Sequence, residues 1–209
     1  SGGSNRYVQA LQQTWRVEVQ LATPVQGVKR QAKGVRLWTA AGEQDFDAVV
    51  LACHTDDALA LLEDADQEER AVLGAVTYQD NDTVLHTDAR VLPRDRRAWA
   101  AWNARLPEQD GDTCTVSYWM NALQSLDAPV PFIVSLNQDA HIDPARVLRR
   151  MRYRHPHQTA ASVAAQAALP RIQGRGQVWH AGAGWGFGFH EDGLRTGLDV
   201  ARALGSPWP

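Results

Sequence analysis

Several things are scarce in this sequence, and each scarcity excludes something. Cys53 and Cys114 are the only cysteines among 209 residues. Two thiols cannot build a disulfide framework or, alone, a zinc site, so a reducing cytoplasm is the expected compartment. Charge of one sign is also lacking. The 21 Lys+Arg and 24 Asp+Glu give a net charge of −3, which leaves no basic footprint for nucleic acid or an anionic membrane. No run approaches the ~18 apolar residues that span a bilayer, and no signal peptide is recognisable. No internal repeat or low-complexity tract occurs. The initiator Met is missing too: the chain opens at Ser1-Gly2-Gly3-Ser4, and a piece of something larger is expected. What is present is ordinary for a globular chain, with 44% hydrophobic and 22% charged residues, which argues against disorder.

Ser4 is placed to cap a first helix carrying Tyr7, Val8 and Leu11. Strand-like runs follow at Arg16 to Leu21, Val25 to Gln31 and Val35 to Thr39, separated by Thr23-Pro24 and Lys33-Gly34. Polar Ala41-Gly42-Glu43 then leads to Phe46 through Cys53. Within it Val49 to Cys53 is continuously apolar, as expected of a strand covered on both faces. Thr55, Asp56 or Asp57 starts a helix with Ala58, Leu59, Leu61 and Leu62. Strand, turn and helix in this order suggest a parallel α/β layer. The middle differs: Val76 to Thr87, Ala98 to Asn103, Thr113 to Asn121 and Phe132 to Asn137 are strand candidates joined by loops with Pro93, Pro107, Gly111, Pro129 and Pro131. They predict an antiparallel meander with one aromatic face. A short helix at Asp143-Pro144, a strand at Arg149 to Arg154 and an Ala-rich helix from Thr159 to Leu169 follow. Gln177 to Ala181 reads as the last strand. A glycine loop, Gly182-Ala183-Gly184-Trp185-Gly186-Phe187-Gly188-Phe189, opens the last helix, which Gly205 and Pro207 end.

The glycine loop lies between strand and helix, where backbone amides and a helix N-terminus are able to face an anion or a polar ring. The dinucleotide pattern G-x-G-x-x-G is absent, because the third glycine is replaced by Phe187 or Phe189. Tight packing on neighbours is the alternative role for the loop. Gly193, Gly197 and Ala201 leave one face of the last helix without bulk, so a sheet or a cofactor is expected close to it. His190-Glu191-Asp192 lacks the metalloprotease spacing, since position 194 is Leu; capping by Asp192 or Glu191 is expected instead, and no metal. His155 and His157 read as a solvated turn. Cys53 and Cys114 are conceivable nucleophiles, but Cys53 ends an apolar strand, where a buried thiol is common. No G-x-S-x-G elbow exists. Trp99, Trp102, Tyr118 and Trp119 are candidates to line an apolar cavity, with core packing the competing role. Adjacent Tyr118 and Trp119 face opposite sides of their strand.

Phe46-Asp47-Ala48-Val49-Val50-Leu51-Ala52-Cys53-His54 and the stretch from Gly184 to Gly197 resemble bacterial flavin-containing amine-oxidase-like proteins, predicted NAD/FAD-binding oxidoreductases. Leu85-His86-Thr87-Asp88 with Leu92-Pro93, and Tyr118-Trp119-Met120-Asn121, are similar too. The resemblance runs from Gly2 to Leu204 and is to the C-terminal portion of such proteins. It implies α/β plus α+β architecture: a remnant of a Rossmann-like FAD domain with an inserted antiparallel or mixed β-sheet substrate domain. Residues 1–75 would be partial FAD-domain segments, 76–157 the substrate-domain sheet, and 158–209 the segment closing the FAD domain. By the same resemblance Val25 would meet the adenine through its backbone, and Ala52 and Cys53 would lie near the adenosine and pyrophosphate. Gly182 and Ala183 would lie near the ribityl-pyrophosphate, with Gly188 in the loop beside it. Phe189, His190 and Glu191 would approach the flavin pyrimidine edge. Trp102, Tyr118 and Trp119 would shape the substrate pocket. Relatives carry the G-x-G-x-x-G loop in an N-terminal region absent here, and many have Asp or Glu where Ala183 follows Gly182.

The expected function is the C-terminal part of an FAD-dependent oxidoreductase, active only in an intact parent, that moves a hydride from an apolar or amine substrate to flavin. FAD retention by this chain alone is not expected, and self-association through exposed edges is. The rival reading is a self-standing, non-catalytic binding or interaction module.

Overall fold

The computed structural model describes residues 5–106 and 114–206. The expected cap at Ser4, the loop residues Pro107 and Gly111, the strand start at Thr113 and the stop at Pro207 lie outside them. In chain order the elements are α1 (Asn5–Gln12), β1 (Gly27–Arg30), β2 (Val35–Thr39), β3 (Gly42–Phe46), β4 (Val49–Leu51), α2 (Thr55–Leu61), α3 (Gln67–Gly74) and β5 (Tyr78–His86). Then come β6 (Trp102–Arg105), β7 (Thr115–Trp119), α4 (Met120–Leu123), β8 (Ile133–Leu136), β9 (Val147–Pro156), α5 (Ala160–Ala168), β10 (Val178–His180) and α6 (His190–Ala203). No described helix is long and apolar enough to cross a membrane.

The chain divides into two compact units. One comprises Ser1–Glu18 and Gln79–His155, the other Val19–Tyr78 and Pro156–Pro209. The first is built on a five-stranded sheet of order β6-β7-β8-β5-β9. β6, β7 and β8 form an antiparallel meander, and β5 joins antiparallel to β8 with Val84 opposite Ser135. Val84, Leu92, Ile133 and Ile142 are among its buried apolar side chains, and His86, Ser117, Ser135 and Gln138 are buried polar ones.

The second unit holds a β1-β2-β3 antiparallel sheet and a two-stranded parallel pair, β10 with β4. Helices α2, α3 and α5 cover them around Val28, Leu51, Leu62, Leu73, Ile172, Val178 and Trp185. Helix α3 begins at Asp66, whose side chain accepts from the Glu69 N–H at 2.8 Å while Glu69 accepts from the Asp66 N–H at 2.9 Å. That reciprocal cap satisfies two otherwise unpaired donors.

Three sequence expectations change. Arg16 to Leu21 is not a strand. Its alternation is real, but Val17, Val19 and Leu21 are exposed and no strand lies alongside to pair with it among the described residues. The strand expected from Val49 to Cys53 is shorter, β4 ending at Leu51, and Gly42-Glu43, expected as a polar connection, opens a strand of its own, β3. Nor is β4 covered on both faces: Leu51 is buried whereas Val50 is 42% exposed. The helical layer covers one side, and the described residues leave the other open.

Candidate cofactor site

The ends of β4 and β10 meet in the second unit. The Ala181 N–H donates to the Leu51 carbonyl at 3.1 Å, which carries the parallel ladder one step past both strands. Gly182 follows with φ of 133°, and a Cβ there would meet only the Ala52 carbonyl, 4.0 Å away. Ala52, Cys53, Gly182 and Ala183 therefore come from neighbouring strand ends, the position where open parallel sheets bind ligands. Val25 belongs to the same unit, two residues before β1, and packs half-buried on its core.

The glycine loop is tied down internally. Trp185 N–H donates to the Gly182 carbonyl, and Gly186 and Gly188 N–H both donate to the Ala183 carbonyl. Asp192, in the first turn of α6, accepts from Phe187 N–H at 3.0 Å and Phe189 N–H at 3.2 Å. Desolvation raises the Asp192 carboxyl, but the Phe189 and Phe187 amides and Arg195 outweigh it and hold the group below its ordinary range. The amides from Trp185 to Phe189 thus hold the loop itself together, so they are not the open anion cradle that spacing suggested. The expected cap is Asp192. Thr196 fastens the other end, where its Oγ1 accepts from Gly182 N–H at 3.0 Å.

What the loop presents outward is apolar and open. Phe187 is 75% exposed and Phe189 59%; His190 and Glu191 are exposed beside them. A Cβ on Gly188, at φ 88°, would meet nothing within 4 Å. The small face of α6 differs from expectation, because a Cβ on Gly197 likewise meets open space and one on Gly193 makes only ordinary contact with Ala183. The first turn of that face therefore rests on Ala183, whereas at Gly197 no described residue comes within 4 Å of the added Cβ.

Two residues not singled out in the sequence join this site. The His54 ring stacks on Tyr78, centroids 4.2 Å apart and 18° from parallel, and the Tyr78 hydroxyl accepts from Thr55 N–H at 2.8 Å. A Cβ on Gly184 would stand 3.8 Å from that hydroxyl. Tyr78 therefore braces the start of α2 against the glycine loop, a role visible only once the chain folds back. His54, Asp56 and Asp57 also bring their ligand atoms within 4.8 Å of one another. Both carboxylates lie in the first turn of α2, where the helix dipole favours negative charge without an ion.

Behind the strand ends, His180 is 1% exposed, and neither ring nitrogen has a hydrogen-bond partner among the described residues. Desolvation, reinforced by the charge of Arg30, pushes its pKa down to about 4, so it is neutral at pH 7. Arg30 pairs with Glu69, itself buried, and with Asp64 at 2.8 Å.

The thiol readings fade on this geometry. Cys53 is exposed rather than buried. Its thiol is raised by desolvation, then by Asp57, the opposite of an activated nucleophile. Buried Ser135, His86 and Asp88 in the first unit look like a hydrolytic set, but the hydrogen bonds run the wrong way. His86 Nδ1 accepts from the Asp88 backbone N–H at 3.1 Å, so the proton of the neutral ring sits on Nε2 and points at Ser135 Oγ, 2.9 Å away. A ring that already donates to the serine cannot take its proton. The Asp88 carboxylate instead binds Arg90 and the Asp143 N–H.

The expected aromatic pocket splits in two. Trp102, more than half exposed, packs edge-to-face on Tyr118 at 5.4 Å. Trp119 packs edge-to-face on Trp99 at 5.2 Å. Only the second pair lines a described cleft, as the opposite facing of Tyr118 and Trp119 requires.

Residues 1–73 match the family model of flavin containing amine oxidoreductases. The chain is amine-oxidase-like. Among curated proteins no sequence matches. Among solved structures it is similar to the CLA-producing fatty acid isomerase from P. acnes, with 16% identity, a TM-score of 0.70, and coverage of 97% of this chain and 52% of that one. Putrescine oxidase bound to putrescine gives 8% identity, a TM-score of 0.65 and coverage of 98% and 53%. Cyclohexylamine oxidase from Brevibacterium oxydans IH-35A gives 16%, 0.56, and 87% and 47%. The fold is therefore that of flavin amine oxidases, and this amine-oxidase-like chain spans about half the length of the structures it matches.

Proposed function

We propose that the chain supplies the substrate sheet and the closing part of the cofactor domain of an FAD-dependent oxidoreductase. The observation that carries this reading is the meeting of two parallel strand ends, Ala52 against Gly182, beside an open-faced glycine loop that starts a helix. The residues fit a flat cofactor. Gly182 and Gly188 leave room where side chains would fill it, and exposed Phe187, Phe189 and Val50 offer apolar contact. Ala52, Cys53, Gly182 and Ala183 would hold the nucleotide portion, and Gly188, Phe189, His190 and Glu191 would approach the ring.

When bound, FAD supplies the capacity to accept a hydride from a C–N or C–C bond. This chain's residues position and shield. Asp192 and Thr196 fix the loop, Tyr78 and His54 brace the strand-end turn, and the tryptophans of the first unit offer the substrate an apolar surface. The test is anaerobic mixing of the product of the complete reading frame with panels of amines and unsaturated lipids. Bleaching of the flavin absorption by one class supports hydride transfer, and no bleaching by any member contradicts it.

A further inference from the structure

The first unit carries an open cleft of about 430 Å³, within the size range of small-molecule sites. Trp99 and Trp119 supply aromatic surface, and Leu126, Pro129 and Pro131 supply aliphatic surface. The Trp99 indole N–H is satisfied, donating to the Pro93 carbonyl at 2.8 Å. The Arg96 guanidinium lies 5.2 Å above the Trp99 ring and forms no ion pair among the described residues, while adjacent Arg97 is paired with Asp95 at 2.7 Å. Asn121 is fully engaged, accepting from Phe132 N–H and donating to the Val130 carbonyl. Asp127 is the one acidic side chain on the lining, and it is exposed.

We propose that this cleft binds an apolar compound bearing a carboxylate, its acid paired with Arg96 and its body against Trp99 and Trp119. A planar guanidinium held over an aromatic ring matches a carboxylate better than an alcohol and repels an ammonium. The inference rests on the reading of this unit as the substrate unit, and it names an acid rather than an amine as the class.

The experiment is calorimetric titration of the full chain with dodecanoate, dodecylamine and dodecanol. Dodecanoate is expected to bind saturably and about tenfold more tightly than either analogue, the worth of one charged hydrogen-bonded contact. Arg96→Gln, at an exposed position, should bring dodecanoate to the affinity of dodecanol, and Asp127→Asn should leave acid binding equal or stronger. Equal or tighter binding of dodecylamine, an unchanged dodecanoate affinity in Arg96→Gln, or no binding of dodecanoate overturns the proposal. Flavin content is measured separately on the complete gene product. Acid selectivity without flavin would overturn the flavoenzyme reading alone, and flavin without acid selectivity would overturn this one alone.

Discussion

The Asp192 carboxylate occupies the space that a side chain on Gly186 would take. The glycine loop and the first turn of α6 are therefore one unit. Asp192 reaches back to the Phe187 and Phe189 amides only because residue 186 has no Cβ. Gly186→Ala should displace Asp192 and cost about as much as Asp192→Ala, roughly 0.5–2 kcal/mol for a lost helix-start partner. Because both changes break the same contacts, the double variant should be less than additive. Urea unfolding of the four proteins measures this; full additivity would mean the two residues act independently.

Acid should weaken the second unit through His180. Its pKa is depressed from 6.5 to about 4 in the folded chain, so the unfolded chain binds the proton more readily. The stabilisation is complete above pH 6.5 and is lost as pH falls toward 4, by about 3 kcal/mol in all. His86, lowered by desolvation against the opposing charge of Asp88, acts in the same direction in the first unit. Unfolding midpoints between pH 7.5 and 4, in wild type and His180→Phe, check the claim; equal slopes in the two proteins would refute it.

Glu69 is 1% exposed and serves both the Arg30 ion pair and the cap of α3. Glu69→Ala should cost about 2–3 kcal/mol, because a largely buried guanidinium keeps Asp64 but loses its second carboxylate, and α3 loses its reciprocal cap. Replacing Arg30 with Met in the same protein should recover part of that loss. A thermal melt of both variants decides; a double variant weaker than Glu69→Ala would show that Arg30 stabilises the fold without Glu69.

Val50, Phe187, Phe189 and Leu194 are all at least 42% exposed in the second unit. Apolar side chains exposed near a two-stranded parallel pair are a site for association. The isolated chain should sediment with a concentration-dependent weight, and Val50→Lys with Phe187→Ser should reduce it. A monomer at every concentration would contradict this.

Much of the candidate site is legible in the sequence, because its signals are local. An apolar strand, alternating glycines, an acidic helix start and a terminal helix lie consecutively between Val178 and Ala203. Helix α3 carries a local signal as well, with Asp66 and Glu69 at capping-box spacing. What the sequence could not carry is contact between distant segments. Tyr78 under His54 joins residues 24 apart, and Arg30 with Glu69 joins residues 39 apart. Alternation at Arg16 to Leu21 misled for the complementary reason, since period two records a preference that only a neighbouring strand fulfils.

FAD is proposed to sit at these strand ends and this loop. The most direct measurement is the flavin-to-protein ratio of the purified product of the complete reading frame, beside its Gly182→Val variant. About one FAD per chain is expected in the wild type, and loss of flavin in the variant, whose side chain enters the strand-end opening and, at φ 133°, strains the turn and lowers the melting temperature without abolishing the cooperative unfolding transition. A colourless wild-type protein that stays free of flavin on titration with FAD would contradict it.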